Sequence, residues 1–197
     1  MNMLGLVQLC EVTGPYYSHS LGVEMRRGEL GSAEALAHFV REVLVGTIGP
    51  AEGVASGAAF RAARVGEVER IPALCQISAE RLPAEIRVAS VQTGRQLWEV
   101  SRRWEWAGAM HQQLDGFAGR VELNHAVAFG ALVSEATSSQ VRAIAAFLLN
   151  VAKGIVAVAV RVVPLDERCG QRVLAEVGPT IAELAAEYAG KGSERLG

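Results

Sequence analysis

The run from Ala143 to Leu165 restricts the fold more than any other feature of this chain, because so long an apolar stretch has only three homes: a bilayer, a sheet or a buried helix. Lys153 and Arg161 argue against the bilayer. Each costs roughly 2.5–3.5 kcal/mol near a membrane centre, whereas an apolar neighbour returns only about 0.3–0.6 kcal/mol. Between strand and helix the local signals conflict. Val156, Val158, Val160 and Val162 alternate with Ala157, Ala159, Arg161 and Val163, a period-two, β-branched pattern that suits a strand. Ser139 to Lys153 nevertheless leads into it without a strong turn, and Val141, Ile144, Ala145, Leu148 and Ala152 keep helical spacing. Isolated pairing strands are hard to find elsewhere. The sequence therefore predicts one helix to about Val163, ended by Pro164.

The rest of the chain reads the same way. Ser32 precedes Ala33 to Val45, where Leu36, Phe39, Val40, Val43 and Leu44 fall on one helical face. Pro50 is placed in the first turn of a second helix, Ala51 to Arg64, where its missing N–H has no intrahelical partner to lose. Gly53, Gly57, Ala58 and Ala62 give that helix a smooth face for close crossing by another. Pro83 opens a helix from Ala84 to Arg103, and another is expected from about Val121 to Glu135 with His125 partly buried in it. Asp166 is placed as the cap of a last helix carrying Val173, Leu174, Val177, Ile181, Leu184 and Ala185, with Pro179 as a break or kink. Gly108 to Gly119, with Asp115 and Gly116, is expected to be an irregular connection. These expectations add up to an all-α, single-domain helical bundle over residues 1–190, followed by a disordered polar tail at 191–197.

Composition narrows the function. A chain of 197 residues suits one domain, and its 50 % hydrophobic content supports a large core. The 19 basic and 21 acidic residues leave a net charge of −2, which offers no field for holding a phosphate backbone, so nucleic acid is not an expected partner. Cys10, Cys75 and Cys169 are odd in number and far apart, as in a reducing compartment. Met1 to Glu11 lacks the basic start and small-residue cleavage pattern of a secretory signal. A cytoplasmic protein outside the membrane is expected.

No local motif supplies a reaction centre. His19, His38, His111 and His125 form no HxxxH or HExxH, and the cysteines form no CxxC, so no local chelate is expected. Ser18, His19 and Ser20 are adjacent, which supplies neither an oriented base nor an oxyanion hole. In Gly53-Val54-Ala55-Ser56-Gly57 the serine stands one place too late for a nucleophile elbow. Gly190-Lys191-Gly192-Ser193 lacks the preceding glycine and flanking strand of a phosphate loop. Arg102-Arg103-Trp104-Glu105-Trp106 combines cations with flat rings, but with Glu99 and Glu105 beside them the arginines read as a solvated helix end. The tryptophans read as an anchor or a partner contact.

Three blocks, taken together and in order, resemble the F-type urease accessory proteins. Tyr17-Ser18-His19-Ser20-Leu21-Gly22-Val23-Glu24 is similar to that family's aromatic-small-aromatic/His-Ser-x-Gly-Leu-Glu block, the most specific element. Arg87-Val88-Ala89-Ser90-Val91-Gln92-Thr93-Gly94-Arg95 resembles its Arg-x-x-Ser-x-x-x-Gly-Arg helix. His125 to Gly130, and Val158 to Leu165 followed by Gly170-Gln171, resemble its final helices. Two departures stand out. Val12 to Tyr16 replaces the family's Leu-Pro-x-Gly-Gly before the first block, and Asp166-Glu167 replaces a Gly-Gln pair after the Pro-Leu step. Little chain follows Tyr188.

The resemblance implies an all-helical, non-catalytic adaptor without a cofactor or metal of its own. It implies a homodimer that binds a D/H-type accessory protein and recruits the G-type GTPase delivering nickel to apo-urease. The residues it marks as partner contacts or structural motif are Tyr17, His19, Ser20, Gly22, Glu24, Arg87, Ser90, Gly94, Arg161 and Gln171. Ser20 has a local capping role open to it, Gly22 a turn, and Glu24 a cation or a helix N-terminus. Arg161, set in an apolar helix, is expected to be buried and to need a carboxylate, either Glu24 or Glu122. Two other functions compete: a small α-helical hydrolase using Ser18, His19 and Ser20, and a stand-alone nickel carrier using His19, His111 or Cys169.

Overall fold

The computed structural model describes residues 2–11, 30–118, 122–162 and 167–190. In chain order the helices are α1 (Met3–Glu11), α2 (Ala33–Val43), α3 (Val54–Val65), α4 (Ile71–Glu80), α5 (Ala84–Ser101), α6 (Gly108–Ala118), α7 (His125–Ala136), α8 (Gln140–Val162) and α9 (Glu167–Gly190). No strand occurs among the described residues, so the fold is all-α as the sequence predicts.

Helix α7 is the axis of the molecule. His125, Ala126, Val127, Ala128, Phe129, Gly130, Ala131, Leu132, Val133 and Ser134 are all buried, as expected of a helix apolar on every side. Helices α1, α3, α5, α6 and α8 all touch it. Close approach to α3 depends on Gly130, where a Cβ would stand 2.1 Å from the carbonyl oxygen of Ser56. On the neighbouring face of α3, a Cβ at Gly57 would meet Ile144 of α8 at 2.8 Å, and Gly53 lies against Tyr188 and Leu148. The small residues of α3 thus serve close crossing, as their spacing suggests.

Helices α8 and α9 pack side by side, and α9 also lies along α2. Arg41 of α2 pairs with Glu176 of α9, and Arg172 of α9 with Glu34 of α2 at 3.1 Å. Ser32 caps α2 as predicted, its hydroxyl accepting from the Ala35 N–H at 3.1 Å. The period-two valines of α8 are helical throughout the described residues, because one stripe that includes Ile155, Val156 and Ala159 is buried in the shared core. Propensity yields here to packing. Two helical stretches, Ala33–Val65 and Gln140–Val162, are long and apolar enough to span a membrane, yet 72 % and 61 % of their most apolar windows are buried inside the protein.

Four expectations need correction. Pro50 does not open a helix: α2 continues into α3 through a π-helical segment, Leu44–Gly53, which contains it. A wider turn accommodates a residue without an N–H and with a ring that crowds the preceding turn. Gly108–Ala118 is helical rather than irregular, since Met110 and Leu114 are buried one turn apart on its inner face. Helix α9 is continuous through Pro179, so of the expected break or kink the break does not occur. His125 is fully rather than partly buried. The expected Asp166 cap, the Pro164 stop and the polar tail at 191–197 lie outside the described residues.

Candidate functional site

The polar groups that the core cannot shed collect where α7 begins. Asn124 caps this helix: its Oδ1 accepts from the Val127 N–H at 3.1 Å while its Nδ2 donates to the Cys75 carbonyl at 3.2 Å. Ser90 of α5 completes the arrangement. Its hydroxyl accepts from the His125 N–H at 3.2 Å and donates to Glu52 Oε1 at 2.8 Å. Glu52 is wholly buried at the end of the π segment, so one serine links a buried carboxyl group to the first turn of the central helix. One turn further along α5, a Cβ at Gly94 would stand 2.3 Å from the Leu123 carbonyl oxygen. Ser90 and Gly94, four residues apart, therefore face the same point, the strand of backbone that leads into α7.

This geometry explains the middle motif without invoking chemistry. Ser90 supplies a hydrogen-bond bridge and Gly94 supplies clearance, both directed into the fold. Arg87, by contrast, is exposed and donates to the Leu82 carbonyl at 3.2 Å. His125 packs its ring against Phe129 and Phe147, with centroids 6.1 and 5.2 Å away, and burial pushes its pKa down to about 4. It is a neutral core histidine near pH 7.

A second polar cluster joins α5 to α6. The Ser101 hydroxyl donates to the Trp98 carbonyl at 2.9 Å, so its 2.9 Å contact with His111 Nε2 requires that the histidine be the donor. His111 is buried against the Trp98 ring at 4.0 Å, and its pKa is lowered by burial first and by the Arg102 charge second. Arg102 is held at 2.8 Å by Asp115 and lies 3.7 Å from Glu99. Trp104 and Trp106 stack at 5.3 Å, and Trp106 donates to Gln8 of α1 at 2.8 Å. The arginines here are a solvated helix end and the tryptophans an anchor for α1. The sequence missed the Ser101–His111 bond, for which ten intervening residues give no local signal.

Other marked residues fall elsewhere. Tyr17, Ser18, His19, Ser20, Gly22 and Glu24 lie outside the described residues. Gln171 is exposed on α9. Arg161 is exposed too, and so is Glu122, which corrects the expectation of a buried ion pair between them. The physical reason is that α8 presents only one stripe to the core, and Arg161 and Val162 occupy its far side in the last turn. Among the described residues, no three or more histidine, cysteine, aspartate or glutamate side chains gather to hold a metal. His111 and Cys169, the described members of the suggested nickel carrier, have no such company.

An all-α protein organised around one buried helix, with Ser90, Gly94 and Asn124 turned into the fold, belongs to the class of all-α helical-bundle domains. Comparison with known sequences makes the assignment specific. The UreF family profile matches residues 30–178, from the turn before α2 into α9. The urease accessory protein UreF of Dechloromonas aromatica is 30 % identical over 195 residues, covering 94 % of this chain and 83 % of that protein. Those of Azorhizobium caulinodans and Xanthobacter autotrophicus are 27 % and 29 % identical, each covering 87 % of this chain and 73 % and 70 % of theirs. The chain belongs to the UreF family, the urease accessory proteins.

Proposed function

We propose that this chain is a non-catalytic adaptor of urease maturation. It bridges a D/H-type accessory protein and the G-type GTPase that delivers nickel, and holds both near apo-urease in the cytoplasm as a homodimer. The observation that carries this reading is the family match over residues 30–178, which takes in both the central helix and the elements packed around it. The local geometry supports it, since Ser90, Gly94 and Asn124 are engaged in holding helices together. An adaptor works by differential binding: it favours the partner conformation that it binds best, by as much as its affinities for the two states differ. Arg87, Arg161 and Gln171, all exposed, stand as partner contacts in this proposal. Tyr17, His19, Ser20, Gly22 and Glu24 keep the partner or structural roles that the resemblance implies, and residues 1–190 act as one domain.

Size-exclusion chromatography with light scattering tests it. The purified chain is expected to shift into one complex with the D/H-type protein, and that complex to take up the GTPase. Elution of the chain apart from both partners contradicts the proposal.

A further inference from the structure

A pocket of about 320 Å³ lies where α3 ends and the chain turns toward α4. Val65, Phe60 and Leu74 give it apolar walls, and Arg61, Arg64 and Arg70 line it as well. The balance of charge there is one-sided. Arg70 is held at 2.7 Å by Glu67, the one carboxylate among the described lining residues. Among the described residues Arg64 reaches only the Ser134 carbonyl, at the 3.5 Å limit of a hydrogen bond. Arg61 is half-buried and has no hydrogen bond or ion pair among the described residues. Among the described lining residues, three guanidinium groups therefore share one carboxylate, on a chain whose overall charge is −2.

Holding a half-buried guanidinium beside other cations disfavours the free molecule, and an incoming anion removes that penalty. Burial, and then the charge of Arg70, lowers the Arg61 pKa, consistent with cations crowded together without compensation. The apolar walls narrow the kind of anion. A free phosphate leaves Val65, with 69 % of its surface exposed, and the other carbon-lined walls unoccupied. A polypeptide carrying carboxylates next to an apolar side chain fills both parts. Planar guanidinium groups pair with carboxylates through two parallel hydrogen bonds, and arginine is enriched at the centre of interfaces.

We propose that the Arg61–Arg64–Arg70 pocket docks an acidic segment of a protein partner, with one apolar side chain of that segment seated between Val65 and Leu74. This rests on the adaptor reading and names the surface through which one of its contacts is made. Three variants, Arg61→Gln, Arg61→Glu and Arg70→Glu, are compared with the parent by isothermal titration against each urease accessory partner. Melting curves and light scattering are recorded in parallel. The expected result is a tenfold or greater loss of affinity for one partner in Arg61→Glu and Arg70→Glu. A smaller loss in Arg61→Gln, a parental affinity for the remaining partner and an unchanged or higher Tm complete the expectation. The glutamine variant keeps the test open if a glutamate at position 61 impairs folding.

Parental affinity for every partner in all three variants overturns the proposal. So does a change confined to self-association, which assigns the pocket to a second copy of the chain. If the unaltered chain binds no partner at all, it is the adaptor reading that fails, and this inference with it.

Discussion

Ser90 is where three parts of the molecule meet, so its hydroxyl is the single group whose loss is read most widely. Ser90→Ala removes the acceptor for the His125 N–H and the donor to the buried Glu52 carboxyl group. A cost of about 1–3 kcal/mol is expected, measured as a lowered midpoint in urea denaturation, because a buried hydrogen-bond bridge is lost at the start of α7. Gly94→Ala acts at the same point by steric means. Its Cβ, 2.3 Å from a backbone oxygen, forces α5 away from the start of α7, with an expected loss of about 1–3 kcal/mol or more. Arg161→Ala is the contrasting case: exposed at the end of α8, it should melt within about 0.5 kcal/mol of the parent. Any deficit in that variant should appear in partner binding instead.

His125 adds a pH dependence at the same scale. Its ordinary pKa of 6.5 falls to about 4 in the folded protein, so between those values the unfolded chain binds a proton that the folded chain refuses. Stability contributed by the neutral ring is complete above 6.5 and declines as the pH drops toward 4, by roughly 3 kcal/mol at ~1.4 kcal/mol per pKa unit. Denaturation of His125→Phe across this range should show a flatter pH profile than the parent. An identical slope in the two proteins assigns the acid sensitivity to other groups.

Among the elements, the π segment at Leu44–Gly53 joins two helices that the sequence separates. Its Gly49 admits the ring of Tyr188 from α9: a Cβ there would meet the Leu44 carbonyl oxygen at 2.6 Å and the tyrosine ring at 2.8 Å. Gly49→Ala is therefore expected to lower Tm by loosening α9, and hydrogen exchange should show faster opening of Glu167–Gly190 than of α7. What the sequence revealed at this scale follows from how local each cause is. The Ser32 cap, the amphipathic spacing of α2 and the Pro83 start of α5 act over a few residues and were readable. The continuity across Pro50 depends on a change of helical register that leaves no compositional mark. Helix α6 was hidden because Asp115 and Gly116 imitate a loop, while its justification, Met110 and Leu114 against the core, is tertiary. Helices α1 and α4 were not singled out. The inward aim of Ser90 and Gly94 was equally out of reach, for their partners stand 29 or more residues away in the chain.

For the whole molecule, the distribution of polar groups bears on what it does. Buried ones such as Asn124, Ser90 and Glu52 tie the central helix to its neighbours, while the arginines around the pocket at the end of α3 face outward with charge to spare. In the proposed function, this chain serves urease maturation by binding. Urease specific activity in nickel-supplied cells lacking only this chain, with and without its re-expression, measures that claim directly. Urease protein is expected at normal abundance but with little activity in the deletion, restored by the parent chain. Full urease activity without the chain contradicts it.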